Sequence, residues 1–260
     1  MGKTGTTGRT GTTGGWWEGY FDHDYLAEFA PLFDPLSDRA QVGRIIELLG
    51  LPQGARVLDC PCGQGRHVGP MAAAGFDMTG ADLSRPLLAE ARRHWTGKRL
   101  RFVRADMRAL PARWDARFDA VLNLFTSFGF FDDPADDQRV LSEFARVLRP
   151  GGTLLWHGGS RDGVMSRFIA DDSWRGARGV RVRHHREFDP VTGYIHITTT
   201  LGTGARARQR THRIRLYAAS ELARLARAAG LELVDAFDGW TDLPLTRRAP
   251  EMLLRFVRVA

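Results

Sequence analysis

Four acidic or amide side chains recur at the ends of four short apolar runs. Asp59 closes Val57-Leu58, Asp82 closes residues 76–81, Asp106 closes 100–105 and Asn123 closes 118–122. A carboxylate at the end of the second run has the spacing to accept hydrogen bonds from ribose hydroxyls. After the first run comes Asp59-Cys60-Pro61-Cys62-Gly63-Gln64-Gly65-Arg66-His67. Gly63 and Gly65 allow a tight turn and a close approach of backbone to ligand. A glycine turn alone is weak evidence, and a single Asp or Asn is a common turn former. The series of four at one sheet edge is poorly explained one residue at a time.

Such residues need parallel strands and covering helices to position them. Residues 56–74 read as buried strand, glycine turn and helix, the open end of the helix offering free N–H groups. Residues 25–33 and 38–49 read as helices, the second with Val42, Ile45, Ile46 and Leu49 at helical spacing. Ser84 is an N-cap with Pro86 in the first turn of a helix over 84–95. A helix within 132–148 is stopped by Pro150-Gly151-Gly152, and Thr153-Leu154-Leu155-Trp156 is a fifth strand turning at His157-Gly158-Gly159. Residues 180–188, 194–201 and 211–217 alternate like antiparallel strands, with Asp189-Pro190-Val191-Thr192-Gly193 as a turn. A helix over 220–230, N-capped at its start and ended by Gly230, precedes strands over 231–237 and 252–259.

Composition narrows the classes. The net charge is +7, from 37 Lys and Arg against 30 Asp and Glu. The arginines are spread along the chain, and the densest group, Arg206-Ala207-Arg208-Gln209-Arg210, falls in an expected hairpin loop. A solvated basic surface is the favoured reading over a nucleic-acid groove. No apolar run is long enough to span a bilayer, and residues 1–15 are mostly Gly and Thr without the apolar core of a signal peptide. A disordered tail over 1–15 and a cytoplasmic location are therefore expected. Two cysteines one residue apart form neither a disulfide framework nor a zinc site, and read as a small buried pair in a turn.

On these residues the chain resembles the class I S-adenosylmethionine-dependent methyltransferases, most strongly over 57–152. It also resembles a bacterial, natural-product branch of small-molecule methyltransferases. Gly65-Arg66-His67, Asn123-Leu124-Phe125-Thr126-Ser127-Phe128-Gly129 and Arg146-Val147-Leu148-Arg149-Pro150-Gly151-Gly152 carry that likeness. Cys60 and Cys62 depart from the usual turn. The resemblance implies an α/β fold: a seven-stranded, mostly parallel, Rossmann-like sheet with helices on both faces. An N-terminal helical lid over 16–50 and a methyltransferase domain over 51–260, with an antiparallel insertion at about 175–217, complete it. The implied cofactor is S-adenosylmethionine, leaving as S-adenosylhomocysteine, with no metal. Asp59, Gly63 and Gly65 would cradle its methionine part, Asp82 would hold its ribose, Asp106 with Met107 would flank its adenine, and Leu83 would also contact the cofactor. Asn123 would open the segment, running to Phe131, that borders the reacting methyl group.

Methyl transfer is an in-line displacement in which orientation supplies much of the rate, with a base where the acceptor bears a proton. His157, just past the fifth strand, is the first candidate base; a histidine that only hydrogen-bonds in the turn is the alternative. Tyr20 is placed as a bond to the acceptor or cofactor, His67 as structural or cofactor-side, and Arg161 and Asp162 at the acceptor pocket. Trp16, Trp17, Tyr20, Phe125, Phe128, Phe130, Phe131, Trp156 and Trp174 fall near the expected mouth, some of them as plain core. Trp16 and Trp17 read equally as lid or core packing, and Tyr20 as lid. Such rings suit a small aromatic or indole-like acceptor, methylated at carbon, nitrogen or oxygen. The protein would act as a monomer or homodimer without a membrane. The segment Asn123-Leu124-Phe125-Thr126 lacks the Pro-Pro of base amino-group methylases and the Pro-Cys of cytosine-carbon methylases. An RNA methyltransferase without those motifs is the alternative. A dehydrogenase would need a third glycine where Val68 stands, and a non-enzymatic module would not need Asp59, Asp82 and Asp106 together.

Overall fold

The computed structural model describes residues 15–259, so the expectation of a disordered tail falls, save for Gly15, outside the described residues. Three N-terminal helices come first: α1 (Trp17–Tyr20), α2 (His23–Phe29) and α3 (Pro35–Leu49). Asp34 caps α3 by accepting from the Ser37 N–H at 2.8 Å, with Pro35 in the first turn, so α3 begins three residues before its apolar pattern suggests. Then follow β1 (Arg56–Asp59), α4 (Val68–Ala73), β2 (Asp77–Asp82), α5 (Arg85–His94), β3 (Leu100–Arg104), β4 (Phe118–Asn123), α6 (Pro134–Val147) and β5 (Leu148–Gly159). Ser84 caps α5 as expected.

Next come a short α7 (Arg161–Ser166) and four strands: β6 (Asp171–Arg175), β7 (Arg181–Phe188), β8 (Tyr194–Leu201) and β9 (Arg208–Arg215). They pair antiparallel in the order β6-β7-β8-β9. The sequence pattern shows three of these strands; β6, with Asp171, Asp172 and Arg175 in its five residues, has too little apolar alternation to stand out. The Arg206–Arg210 cluster straddles the start of β9 rather than filling a loop. Its Arg208 pairs with Asp24 at 2.9 Å and Arg210 with Asp22 at 3.2 Å, so both bind α2 and its cap. The chain finishes with α8 (Ala219–Ala228), β10 (Leu231–Asp238) and β11 (Glu251–Arg258). The N-cap of α8 is Ala218, not a serine; Glu221 reaches back to accept the Ala218 N–H at 3.0 Å.

The main sheet has seven strands in the order β10-β11-β5-β4-β1-β2-β3. β1 to β5 run parallel, and β11 lies antiparallel between β5 and β10. Alternate residues serve opposite faces. Val57, Ala120, Leu122 and Leu155 pack under α3, α4 and α5; Leu58, Val121 and Leu154 pack under α6 and α8. Burial on both faces is why these strands read as continuous apolar runs. Strand order reverses between β1 and β4, and at such a switch point an open α/β sheet leaves a crevice at its carboxyl edge. The small sheet is fastened to the core beside that crevice: Arg215 N–H donates to the Gly129 carbonyl at 2.8 Å. A Cβ on Gly129 would lie 2.4 Å from the Arg215 carbonyl oxygen, so only glycine permits this approach. Among the described residues no helix is long and apolar enough to cross a membrane.

Candidate active site

Asp82 ends β2 and bends back over the glycine turn. Its carboxylate accepts the Gly63 N–H and the Ser84 N–H, each at 2.8 Å. Burial pushes this carboxyl up to about 6, against the pull of those N–H donors. Asp106 is claimed by Arg108, which donates to it at 2.7 and 3.1 Å and also reaches Asp136 at 2.8 Å. Burial alone would raise Asp106, but the Arg108 hydrogen bonds outweigh it and hold the carboxyl below its ordinary range. Gly63, Asp82, Leu83, Asp106 and Met107 line one cavity, of about 690 Å³ including its mouth. Trp17 and Phe131, expected at the acceptor, stand in this wall instead, ring edge to ring face at 5.0 Å.

Asp59 lies in an adjoining cleft with Gly63, Arg66, His67 and Phe125. It is 2 % exposed, and burial pushes its carboxyl up to about 8 despite nearby Arg66. Asp59 thus sits as a buried carboxyl at the cleft. Gly65, with φ of 79°, packs closely: a Cβ there would meet the Phe102 and Trp95 rings at 3.0 to 3.1 Å. His67 is buried, bonds Gln41 at 2.8 Å and has its pKa driven down by desolvation. Asn123 is fully buried and lines none of these spaces. Its amide donates to the Cys60 carbonyl at 2.9 Å and the Ser127 carbonyl at 3.2 Å, tying the turn after β1 to the loop after β4.

That loop is strained. Phe125 and Thr126 take φ of 60° and 56°, left-handed values disfavoured for aromatic and β-branched residues. His157 holds them: its carbonyl accepts the Thr126 N–H at 3.0 Å, and its Nδ1 accepts the Phe125 N–H at 3.3 Å. The proton then belongs on Nε2, which faces Glu251 at 3.2 Å, while the ring stacks on Trp240 at 4.5 Å. His157 lies inside β5, not beyond it, because the strand continues three residues past the apolar run. It is 2 % exposed with both nitrogens engaged, the arrangement that the hydrogen-bonding alternative describes.

A second cavity, about 870 Å³ with its mouth, lies between the N-terminal helices, the loop after β4 and the small sheet. It shares Phe21, Tyr25, Ser127 and Phe130 with the first. Trp16, Tyr20 and Phe125 line it. Tyr20 is buried beneath it, its hydroxyl donating to Glu28 at 3.3 Å; desolvation and the Glu28 charge push its ionisation far above the usual phenol range. It therefore keeps its proton. Glu28 is fully buried and also accepts from His184 at 2.8 Å and Thr199 at 3.1 Å, fastening α2 to the small sheet. Phe128 is core, packed on Trp156 and Tyr217 at 6.2 and 5.6 Å. Arg161 pairs with Glu221 at 2.7 Å beside a separate surface cleft. Trp174 donates to the Glu28 carbonyl at 2.9 Å. His184, Arg186, His212 and Glu251 line the second cavity without having been singled out beforehand. The alternation of β7 to β9 was the available signal, but alternation does not say what lies opposite a face. Among the described residues no group of three or more His, Cys, Asp or Glu is placed to hold a metal ion.

Comparison with known proteins bears on this geometry. A methyltransferase-domain family matches residues 57–152, which span the turn, all four strand ends and the following helix. A ubiquinone biosynthesis O-methyltransferase of Aromatoleum aromaticum is 30 % identical over 237 residues, covering 89 % of this chain and 83 % of the relative. The chain belongs to the S-adenosylmethionine-dependent methyltransferases. An N,N-dimethyltransferase of dTDP-3-amino-3,4,6-trideoxy-alpha-D-glucopyranose from Streptomyces venezuelae is 29 % identical over 81 % of this methyltransferase and 84 % of the relative. The SAM-bound structure of CalS10, an amino pentose methyltransferase from Micromonospora echinaspora, superposes with a TM-score of 0.65 at 25 % identity, covering 84 % of this chain and 90 % of that one. Other curated relatives are matched over only about half their length, 57 % and 53 % for two of them. The residues present fit the family's cofactor, S-adenosylmethionine: a buried carboxyl at Asp59, the Asp82-braced turn and a cavity of suitable size meet at one sheet edge.

Proposed function

We propose that this methyltransferase transfers a methyl group to a small acceptor with a flat, apolar or aromatic body, bound in the second cavity. The observation that carries the proposal is the wall the two cavities share, Phe21, Tyr25, Ser127 and Phe130, which sets an acceptor beside the cofactor space. When bound, S-adenosylmethionine supplies an electrophilic methyl group on a sulfonium. Asp82 would hold the ribose, Met107 and Leu83 the adenine, and Asp59 the ammonium of the methionine part. Trp16, Phe29, Phe125 and Phe130 would orient the acceptor and exclude water, leaving positioning to supply most of the rate. The N-terminal segment acts as the lid: Trp16 donates to the Phe130 carbonyl at 3.1 Å and Ser84 to the Phe21 carbonyl at 2.6 Å, spanning both cavities. Relatives named for amino-sugar, glycine and quinone substrates leave the methylated atom open.

Calorimetric titration with S-adenosylmethionine, S-adenosylhomocysteine and NADH tests the cofactor, and incubation with indoles, phenols and amines tests the acceptor. Binding of the first two alone, with methyl uptake by a ring-bearing acceptor, is expected. Absence of S-adenosylmethionine binding overturns the proposal.

A further inference from the structure

The second cavity is walled by aromatic rings, yet a single carboxylate stands in it. Glu251, the first residue of β11, lines the cavity beside Phe125 and Thr126 and is half-exposed there. Its Oε2 faces His157 Nε2 at 3.2 Å, and with Nδ1 accepting the Phe125 N–H it is Nε2 that donates toward Glu251. The His157 hydrogen bond holds the Glu251 carboxyl below its ordinary range, so the group is an anion at neutral pH. No Lys or Arg nitrogen lies within 4.0 Å of it among the described residues; its one ionic neighbour is that histidine. The guanidinium that lines the same cavity, Arg186, is already directed to the Ile169 carbonyl at 3.3 Å, His184 at 3.2 Å and Asp172 at 3.7 Å. An anion without a cationic partner among aromatic faces is a site for an organic cation, since both the charge and the ring quadrupoles attract one.

Resting on the methyl-transfer reading above, we infer that the acceptor is an amine and that Glu251 binds its ammonium group, with His157 as the positioning residue behind it. The chemistry balances. The ammonium releases one proton to solvent at the open side of the cavity, leaving a neutral amine with a free lone pair and an N–H still bonded to the Glu251 carboxylate. That lone pair forms the new N–C bond as the C–S bond of the sulfonium donor breaks, and the bonding pair stays on sulfur. The products are a methylated ammonium and a neutral thioether. His157, the expected base, stands behind the cavity wall; Glu251, one residue further along the hydrogen-bonded chain, is the group that reaches the cavity.

The test uses the full chain saturated with S-adenosylhomocysteine, titrated with amine and alcohol pairs of one shape: tryptamine and tryptophol, phenethylamine and phenethyl alcohol, cyclohexylamine and cyclohexanol. At least one amine is expected to bind about tenfold more tightly than its alcohol, the scale of one partly buried charge-assisted contact. Glu251→Gln should bring that preference close to one, Glu251→Asp should keep part of it, and both should bind S-adenosylhomocysteine as the parent does. His157→Gln should weaken the amine preference and raise the apparent pKa of amine binding, which loss of packing alone would not do. Equal binding within every pair, no binding of any amine, or an amine preference that survives Glu251→Gln overturns the inference. Failure to bind S-adenosylhomocysteine at all instead overturns the cofactor reading beneath it.

Discussion

Asp59→Asn separates the demands of folding from those of binding. Burial pushes the Asp59 carboxyl from 3.8 up to about 8, with Arg66 only partly opposing it. The folded protein therefore holds a proton at pH 7 that the unfolded chain has released. For this group, stability is fully present below about pH 4, falls as pH rises, and is flat above about pH 8. At about 1.4 kcal/mol per pH unit, that slope amounts to about 4 kcal/mol by pH 7, as an upper bound. Asparagine keeps the shape and removes the slope. The ligand-free variant should match the parent near pH 4 and exceed it in stability at pH 7, by one to several kcal/mol (~1–4) in denaturant unfolding. Binding should move the other way. A cofactor ammonium favours the ionised carboxylate, so binding at pH 7 should release close to one proton (roughly 0.9, from a carboxyl near 8). Calorimetry in buffers of different ionisation enthalpy reads that number directly. The variant should release almost none and bind at least about tenfold more weakly. A parent with no proton release and a pH-independent stability difference from the variant would refute the reasoning.

Thr126→Gly should stabilise the ligand-free protein by about 1 kcal/mol, because glycine takes the left-handed φ of 56° without strain; a lower melting temperature would count against it. His157→Ala removes a buried ring, its stack on Trp240 and two side-chain hydrogen bonds, so a loss of about 2–4 kcal/mol in chemical denaturation is expected. An unchanged midpoint would mean the loop after β4 does not depend on it. Glu28→Gln replaces a carboxylate that receives Tyr20, His184 and Thr199 by an amide that suits fewer donors. Faster amide exchange in α2 and β7 and a loss of about 2 kcal/mol should follow; unaltered exchange there would separate the lid from the small sheet.

The first cavity, proposed here for the cofactor, was legible because it is built locally. Each of its carboxylates directly closes the apolar run that becomes its strand, and parallel strands buried on both faces bring such ends to one edge. Asp82 and Asp106 could be named from sequence for that reason, and the order β3-β2-β1-β4 then places both at the first cavity. The second cavity, proposed for the acceptor, is assembled from distant pieces. Phe29 and Glu251 line one cavity from opposite ends of the chain, joined there by His184 and His212 from the small sheet. A period of two tells that β7 and β9 have two faces, but only the packed α2 decides which face is enclosed and which meets solvent. Asn123 and His157 show the same limit. Each is the right type of residue at the expected edge, but burial turns both inward, one to tie two loops and the other to hold a strained loop and orient Glu251. Sequence determined where the cofactor's strand ends lie, because strand, polar end and turn are set by neighbouring residues. Which polar groups face a ligand and which serve the backbone was decided by tertiary packing, because that depends on what covers each side chain.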